Sequence, residues 1–275
     1  MASSIKDLIQ KHDFHFTKKF GQNFISDSNL LDAIVDDANI SAEDIVLEIG
    51  AGAGTLTKSL AKKAKKVVAY EIDKNLVGVL YENLSDVDNV ELRFIDFMKE
   101  SIDTLKSEFS TAKVVANLPY YITTPVIMRL LENGIGKSIT VMVQKEVADR
   151  LTANPGNKDY SAITVKVKSL GGAVVTRKVL RNMFYPIPNV DSAVVRLDIK
   201  PIYRGKNEQF TDKVVKTAFL MRRKTLINNL TSLNFTKEEL SEVLVELGID
   251  LNARGETLSP EQFVALSDKL IDKNK

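Results

Sequence analysis

The chain has 275 residues, of which 44% are hydrophobic and 27% charged, and its formal net charge is +2. These values are ordinary for a globular protein, and the length suffices for one large domain and a small one. The absence of cysteine excludes disulfides, thiolate catalysis and cysteine-based zinc sites. The sequence has neither an apolar run of the roughly 18–20 residues that a membrane helix needs nor a signal-peptide pattern, which favours a cytoplasmic protein without membrane contact.

Strand-like and helix-like segments alternate from residue 44 to about residue 143. The predicted strands are 44–50, 66–73, 90–96, 113–119 and 138–144, with helices between them that include 74–84 and a segment ending at Gly134. The first of these strands, DIVLEIG, is apolar on both faces, as a parallel strand buried between helices should be. The alternation therefore predicts an α/β fold, with a parallel sheet covered by helices.

Residues 161–199 follow a less regular pattern. Residues 161–170 alternate in polarity through Ile163, Val165 and Val167, and this period predicts a strand. The segments 173–179 and 192–199 are also strand-like and are separated by one loop. They predict a hairpin that adds an antiparallel edge to the parallel sheet.

The pattern changes near Pro201, after which three segments have helical spacing. Thr236 and Glu239 form a predicted capping box, and Ser259 with Gln262 marks another helix start. We therefore predict two domains, residues 1–200 and a small all-helical domain of residues 201–275.

The sequence EIGAGAGTLT, residues 48–57, closes the first strand of the alternation with Gly50, Gly52 and Gly54. Glycine lets the backbone turn sharply and approach a ligand closely. On its own this pattern is weak, because nicotinamide and flavin enzymes also have glycine-rich turns between strand and helix. An ordinary tight turn is the structural alternative.

Acidic residues follow the glycine loop along the same predicted sheet edge. Glu71 ends the second strand, where an acid can accept hydrogen bonds from a ribose diol, and Asp96 ends the third. Together with Glu48 these acids predict a negative crevice. Such a crevice would repel a pyrophosphate dinucleotide but would accept a sulfonium cation that carries adenosine. The sequence therefore favours S-adenosylmethionine over NAD, although either Glu71 or Asp96 could simply cap a helix.

The fourth strand ends in Asn117-Leu118-Pro119-Tyr120. The lone pair of an aromatic amine is delocalised into its ring, so acceptors aimed at the amine hydrogens would free it for methyl transfer. The Asn117 side-chain oxygen and the Leu118 carbonyl are candidate acceptors, since Pro119 enforces an extended backbone before it. Tyr120 offers a ring on which a base can stack. The structural alternative is a proline turn above a packed aromatic.

Long strings spread along the chain resemble the ribosomal RNA adenine N6-dimethyltransferases, and most closely those of the small subunit. They are KKFGQNFISD (18–27), EIGAGAGTLT (48–57), NLPYYITTP (117–125), VQKEVADRL (143–151), PGNKDYSAITV (155–165), FYPIPNVDSAVVRL (184–197), MRRKTLINNL (221–230) and RGETLSPEQF (254–263). The resemblance implies a Rossmann-like class I methyltransferase with a seven-stranded, mostly parallel sheet and a helical C-terminal domain. It also implies that residues 161–170 are a helix, and we follow it against the counted alternation.

The resemblance implies a role for each matching site residue. Implied cofactor contacts are Asn23, Ile25, Gly50, Gly52, Glu71, Ile72, Asp96, Phe97 and Asn117, and implied catalytic residues are Asn117, Leu118, Pro119, Tyr120 and Phe184. Phe184 would lie across from Tyr120, so that an extruded adenine sits between two rings. The alternative for Phe184 is an ordinary core aromatic.

The implied substrate is small-subunit ribosomal RNA in an immature 30S particle, methylated at two adjacent adenines near its 3′ end, and nothing in the sequence suggests more than a monomer. Candidate phosphate contacts are Lys18, Lys19, Arg222, Arg223, Lys224 and the lysines of 58–66, although lysine runs are more often solvated helix faces. His12 and His15 lack a carboxylate motif and predict no metal site. Three alternatives stay open: a large-subunit adenine methyltransferase of the macrolide-resistance type, a ribosome-assembly factor whose methylation is secondary, and a nicotinamide oxidoreductase.

Overall fold

The computed structural model describes residues 5–14, 23–25 and 27–273 of the chain. By its contacts the chain forms two compact units. The first unit contains Met1–Ala148 and Val174–Asp198, and the second contains Asp149–Ala173 and Ile199–Lys275. Within the described ranges, no helix combines the length and the apolar character needed to cross a bilayer.

Nine strands and twelve α-helices occur in the described residues. The strands are β1 (Phe24–Ile25), β2 (Ile45–Ile49), β3 (Lys66–Tyr70), β4 (Val90–Arg93), β5 (Lys113–Asn117), β6 (Ser138–Gln144), β7 (Val174–Val179), β8 (Phe184–Tyr185) and β9 (Ser192–Asp198). The helices are α1 (Ile5–Lys11), α2 (Ser28–Asp37), α3 (Thr55–Ala61), α4 (Val77–Asn83), α5 (Ile102–Phe109), α6 (Thr123–Asn133), α7 (Lys145–Thr152), α8 (Ala162–Ser169), α9 (Glu208–Ala218), α10 (Leu226–Leu230), α11 (Lys237–Glu246) and α12 (Pro260–Lys273).

The first unit is built on a seven-stranded sheet with the order β4-β3-β2-β5-β6-β9-β7. Strands β2 to β6 pair in parallel, which confirms the predicted α/β fold. The residues of β2, β3, β5 and β6 are mostly buried and apolar, as burial between helices requires, whereas β4 at the sheet edge is half-buried and contains Glu91 and Arg93. Strand β2 pairs with β3 on one side and β5 on the other, so the strand order reverses there. In open α/β sheets, ligands bind at this switch point, outside the carboxyl ends of the strands.

The predicted antiparallel edge is present. Strand β9 pairs antiparallel with β6 through seven residue pairs, from Ser138↔Asp198 to Gln144↔Ser192. Strand β7 then pairs antiparallel with β9 and forms the outer edge of the sheet. The hairpin prediction for these two segments is therefore confirmed.

Residues 161–170 form helix α8 rather than a strand, so the counted alternation was wrong and the resemblance was right. Ile163, Val165 and Val167 are all buried, but so is Thr164 between them. The Thr164 hydroxyl donates to a backbone carbonyl and accepts from the Ser161 N–H at 3.1 Å. Lys166, the next polar position, is held by Asp212 at 2.9 Å. A helix buried on most of its sides loses its 3.6-residue signature, and a chance alternation then resembles a strand.

The second unit differs from the predicted C-terminal domain in one segment. Its core joins Ala153, Tyr160 and Val165 to apolar residues of α9 to α12, so 149–173 packs with the C-terminal helices rather than with the sheet. The Tyr160 hydroxyl also donates to the Leu258 carbonyl at 3.0 Å. A boundary placed at residue 200 from composition misses this segment, because its contacts are with residues that come later in the chain.

Both predicted helix starts in the second unit are confirmed. Thr236 and Glu239 bond reciprocally, at 3.1 and 2.8 Å, before α11. Ser259 and Gln262 do the same, at 3.2 and 2.9 Å, before α12. Each pair satisfies backbone N–H groups that the first helical turn leaves without partners.

Candidate functional site

A cavity opens in the first unit at the carboxyl ends of β2, β3, β4 and β5. The thirteen residues predicted for cofactor binding and catalysis all line it, namely Asn23, Ile25, Gly50, Gly52, Glu71, Ile72, Asp96, Phe97, Asn117, Leu118, Pro119, Tyr120 and Phe184. The structure thus brings together residues that are up to 161 positions apart in the chain. Their individual roles remain predictions.

The glycine loop between β2 and α3 needs glycine for its backbone conformation. Gly50, Gly52 and Gly54 have φ values of +82°, +58° and +80°, in the left-handed region that side chains rarely adopt. A Cβ atom on Gly52 would lie 3.0 Å from the ring of Phe24, so that ring would have to shift by a few tenths of an ångström. The loop therefore brings bare backbone to the cavity wall, which is what close approach to a ligand requires.

Glu71 connects the glycine loop to the end of β3. One carboxylate oxygen accepts from the Gly52 N–H at 2.7 Å, and the other accepts from the Asp73 N–H at 2.8 Å. Burial raises the pKa of Glu71, against the backbone N–H groups that lower it. Each carboxylate oxygen has a second lone pair, so Glu71 can still accept from a ribose diol in the cavity.

Asp96 begins the short 3-10 turn of residues 97–99 after β4. One of its oxygens accepts from the Met98 N–H at 2.9 Å, so the predicted alternative, a helix cap, is part of its role. Phe97 beside it is buried, and its ring meets that of Tyr70 edge-on at 5.5 Å. Ile72 and Ile95 each expose 45% of their surface at the cavity wall, an apolar surface on which a flat ring could lie.

Arg129 on α6 supports the 96–100 loop from behind. Its guanidinium donates to the backbone carbonyl of Glu100 and lies over the ring of Phe97, 5.9 Å from the centroid. Arg129 does not line the cavity, and no local signal in the sequence distinguishes it from a solvent-exposed helix residue.

A two-stranded ribbon of β1 and β8 carries two of the predicted residues, Ile25 and Phe184. Ile25 pairs with Phe184, and Phe24 pairs with Tyr185, in antiparallel register. Ile25 and Phe184 are 2% and 3% exposed, so this pairing is part of the core as well as of the cavity wall. Asn23 directly precedes the ribbon and lies against the end of β5.

Asn117 is held in one orientation by the residue that precedes this ribbon. Its side-chain nitrogen donates to the backbone carbonyl of Asn23 at 3.1 Å. Because the nitrogen is the donor in this bond, the side-chain oxygen is assigned as the free acceptor. Among the described residues the Asn117 oxygen has no donor, which is the arrangement that the predicted role requires.

The turn after Asn117 is fixed by its own hydrogen bonds. The Pro119 carbonyl accepts from the Ile122 N–H and the Thr123 hydroxyl, both at 3.1 Å. Tyr120 is half-buried, and its hydroxyl bonds Ser192 of β9 at 3.1 Å. Burial raises the pKa of Tyr120, so the phenol stays neutral at physiological pH. Ser192 is therefore a support for the Tyr120 ring that the sequence did not reveal.

The predicted negative crevice needs a correction at Glu48. Glu48 lies within β2 rather than after it, is fully buried, and has no hydrogen-bond partner for either oxygen among the described residues. Burial raises its pKa to about 8, with the nearby Glu71 raising it further and the neighbouring Thr57 lowering it. Glu48 is thus mostly neutral at pH 7, and it adds little negative charge to the cavity.

The predicted phosphate contacts are not equivalent. Lys18, Lys19 and His15 lie outside the described residues, and His12 pairs with Glu82 at 2.8 Å. Three of the five lysines in 58–66 form ion pairs, Lys58 with Asp86, Lys63 with Asp36 and Lys66 with Glu91. Of these three only Lys58 lies on a helix, α3, and Lys66 begins β3, so the run is a set of paired surface lysines rather than one helix face.

The Arg222-Arg223-Lys224 triplet lies in the second unit, and its members differ in their contacts with the rest of the protein. Arg222 donates to the carbonyls of Lys158 and Tyr160, at 2.6 and 3.1 Å, and pairs with Glu256 at 3.3 Å. Arg223 and Lys224 are exposed, and within the described ranges neither has a partner. Of the three cations in this triplet, Arg223 and Lys224 are therefore the ones free to meet a phosphate.

Comparisons with known proteins find relatives over nearly the whole chain. A model of the ribosomal RNA adenine dimethylase family matches residues 13–272. The chain belongs to that family. Among similar proteins, the ribosomal RNA small subunit methyltransferase A of Clostridioides difficile is 47% identical over 273 residues, which cover 97% of this chain and 94% of that protein. The protein of the same name from Clostridium acetobutylicum is 44% identical over 268 residues, with 96% and 97% covered.

Solved structures of related enzymes have the same architecture. A dimethyladenosine transferase from Plasmodium falciparum superposes with a TM-score of 0.75 at 30% identity, covering 90% of this chain and 96% of that one. The 23S rRNA methyltransferase ErmE superposes with a TM-score of 0.70 at 28% identity, with 90% and 99% covered. The Rossmann-like methyltransferase fold is thereby confirmed.

Membership of this family makes the chain an S-adenosylmethionine-dependent methyltransferase and excludes the nicotinamide oxidoreductase. The cavity fits this cofactor. It is lined by bare backbone at Gly50 and Gly52, a carboxylate at Glu71 and an apolar wall at Ile72, groups that would suit its amino-acid part, ribose and adenine. Within the described residues, no group of three or more His, Asp or Glu side chains is placed to bind a metal ion.

One residue of the cavity mouth was not predicted. Tyr121 follows the predicted motif directly, lines the cavity and exposes 61% of its surface. The doubled tyrosine in the sequence was the available signal, but Tyr120 and Tyr121 cannot be told apart without the fold.

Proposed function

We propose that this protein transfers methyl groups from S-adenosylmethionine to the N6 amines of two adjacent adenines near the 3′ end of small-subunit ribosomal RNA. The observation that carries the proposal is the hydrogen bond from the Asn117 side chain to Asn23, which leaves the Asn117 oxygen free to accept from an amine at the cavity. The names of the most similar relatives support the small-subunit RNA as the substrate.

The Asn117 oxygen and the Leu118 carbonyl would hold the target amine. When bound, the cofactor supplies a methyl group on a positively charged sulfur. The two acceptors draw the amine hydrogens out of the ring plane. The nitrogen lone pair is then less delocalised into the ring and can attack the methyl carbon. No strong base is needed, because the amine becomes acidic once it carries the methyl group. The contribution of these residues is mainly orientation of the reacting atoms.

The rings of Tyr120 and Phe184 would hold the extruded adenine. Both line the cavity, and each is fixed in its place, Tyr120 by Ser192 and Phe184 by its pairing with Ile25. Stacking of a base on an aromatic side chain contributes roughly 1–3 kcal/mol, which offsets part of the cost of unstacking the adenine.

The same two acceptors would allow a second methylation and then release the dimethylated product. The free amine has two hydrogens to donate, the monomethyl amine has one, and the dimethyl amine has none. The Asn117 oxygen and the Leu118 carbonyl therefore hold the first two forms and lose their hold on the last. Release of the finished product is favoured without any change in the protein.

The substrate particle would be an immature 30S subunit, met by a monomeric enzyme in the cytoplasm. Arg223 and Lys224 are the proposed phosphate contacts in the second unit, since they are exposed and have no partner in the described part of the chain. Contacts of this kind make binding steeply dependent on salt. Lys18 and Lys19 are further candidates from the sequence alone.

The test is transfer of tritiated methyl groups into undermethylated small subunits by the wild-type protein and by Asn117→Ala. We expect near-complete loss of transfer in the variant, while calorimetry shows S-adenosylmethionine binding only partly weakened. Equal transfer by the variant would refute the role of this amide. Asn228→Ala is the matched control, because Asn228 is exposed on α10 and should leave transfer unchanged.

The same assay separates the remaining alternatives. Primer extension along each ribosomal RNA locates the modified adenines, and stops on the large-subunit RNA alone would favour the macrolide-resistance type. An assembly factor with secondary methylation would bind immature small subunits, and Asn117→Ala would bind them as well as the wild type does. Failure of that variant to rescue assembly would instead make methylation the primary activity.

A further inference from the structure

Tyr121 and Tyr120 lie in the same turn and line the same cavity, but they differ in burial and in hydrogen bonding. Tyr120 is half-buried and bonded to Ser192, whereas Tyr121 exposes 61% of its surface at the cavity mouth. In the part of the chain that the structure describes, the Tyr121 side chain makes no hydrogen bond and no ring contact. A single exposed aromatic residue needs no explanation in general. Its position on the rim of the cavity is what singles out this one.

The backbone that carries Tyr121 is held by hydrogen bonds within its turn. The Pro119 carbonyl accepts from both the Ile122 N–H and the Thr123 hydroxyl, which closes the turn around Tyr120 and Tyr121. Helix α6 begins immediately after it. The ring is therefore presented from a fixed base, and little backbone entropy is lost when something stacks on it.

The substrate supplies a ring that needs such a partner. When one adenine is extruded into the cavity, the base next to it loses a stacking neighbour. Consecutive residues of the protein are about 3.8 Å apart at their Cα atoms, so consecutive tyrosines can serve consecutive nucleotides. In the proposed function Tyr120 stacks on the reacting base, and Tyr121, which lines the cavity and is exposed, is accessible to the neighbouring nucleotide outside it.

We propose that Tyr121 forms a second nucleobase subsite, at the cavity mouth, which stacks the purine next to the adenine being methylated. The proposal rests on the proposed function and deepens it. Stacking uses the face of a base rather than its N6 edge, so the subsite accepts the neighbour whether or not it is already methylated. One enzyme can thereby methylate two adjacent adenines in either order at the same cavity.

The experiment compares Tyr121→Ala, Tyr121→Phe and Tyr121→Leu with the wild type, on undermethylated small subunits. We expect Tyr121→Ala to raise KM for the particle by about 5-fold to about 100-fold, with kcat changed by less than about 3-fold. Tyr121→Phe should stay within about 2-fold of the wild type, and Tyr121→Leu should resemble Tyr121→Ala, because a flat ring rather than bulk is required. S-adenosylmethionine affinity, measured by calorimetry, should be the same in all four proteins.

Tyr81→Ala is the matched control. Tyr81 is as exposed as Tyr121, at 62%, but it packs near Phe94 and does not line the cavity. Tyr81→Ala should leave KM for the particle unchanged. A wild-type KM in Tyr121→Ala, or full recovery in Tyr121→Leu, overturns the subsite while leaving the proposed function in place. Absence of methyl transfer by the wild-type protein itself would instead remove the proposed function, and the subsite with it.

Discussion

The side-chain nitrogen of Asn117 donates a 3.1 Å hydrogen bond to the backbone carbonyl of Asn23, 94 residues earlier in the chain. This bond determines which end of the amide is available to a substrate. It also makes the geometry at the end of β5 depend on the ribbon of β1 and β8, since Asn23 directly precedes that ribbon.

Asn117→Asp tests this orientation more finely than removal of the side chain does. Aspartate keeps the acceptor oxygen but cannot donate to the Asn23 carbonyl, and its second oxygen would face that carbonyl in repulsion. We expect methyl transfer into undermethylated small subunits to fall by about 10²-fold or more, the size of effect seen when one fixed catalytic group is lost. Activity in Asn117→Asp close to that of the wild type would show that the bond to Asn23 is dispensable.

Glu48 gives a prediction for the pH dependence of stability. Its pKa in the folded protein is raised to about 8 from an ordinary 4.5. Between these two pH values the folded state therefore keeps a proton that the unfolded chain releases. The free energy of unfolding should therefore fall as pH rises from about 4.5 to about 8, and this loss stays constant above that range. Below pH 4.5 the group is neutral in both states and contributes nothing.

Glu48→Gln should remove this part of the pH dependence. We expect the variant to be more stable than the wild type by up to a few kcal/mol at pH 8–9, with the difference disappearing near pH 4.5. Urea unfolding followed by circular dichroism at several pH values measures it. A wild-type protein that is more stable than Glu48→Gln at high pH would mean that the carboxylate has a charged partner in the cavity.

The parts of the molecule that could be predicted from the sequence are those that local pattern determines. Strands buried on both faces produce unbroken β-branched runs, and glycine in a strand-to-helix turn marks a close backbone approach. The end of β5 was predictable for the same reason, since Asn117 and Pro119 follow an apolar strand directly. The carboxyl ends of parallel strands meet at one edge, so these positions converge without any knowledge of the packing.

The remaining parts depend on tertiary contacts, which produce no local pattern in the sequence. Helix α8 is buried around most of its circumference, which hides its period. Glu48 and Glu71 look alike in sequence, yet only Glu71 receives backbone N–H groups. Arg222 and Arg223 are adjacent and identical in charge, and only distant carbonyls decide which of them is free.

Gly52→Ala should damage cofactor binding more than folding. Its φ of +58° costs a Cβ-bearing residue roughly 1–2 kcal/mol, and the added Cβ would also press on Phe24 at 3.0 Å. Gly248→Ala is the control, because its φ is +65° but no atom lies within 4 Å of the added Cβ. We expect both variants to lose similar backbone free energy, and only Gly52→Ala to weaken S-adenosylmethionine binding in calorimetry. Equal affinity in the two variants would mean that the loop can move Phe24 aside.

Alanine substitutions at Arg222 and at its two neighbours should affect stability and RNA binding differently. Arg222→Ala removes the donor for two carbonyls, of Lys158 and Tyr160, and we expect the second unit to lose about 1.5–3 kcal/mol. Its ion pair with Glu256 adds little, because Arg222 is 46% exposed. Arg223→Ala and Lys224→Ala touch no partner in the described ranges, and they should change stability by less than about 0.5 kcal/mol.

Affinity for small subunits as a function of KCl concentration completes this comparison. Arg223→Ala and Lys224→Ala should each reduce the slope of log affinity against log salt by about 1, the contribution of one phosphate contact. Arg222→Ala should leave the slope unchanged under conditions where it is folded, because its guanidinium is already bound to the protein. An unchanged slope in both Arg223→Ala and Lys224→Ala would place the RNA on another surface, since exposed unpaired cations that meet a phosphate must release counterions.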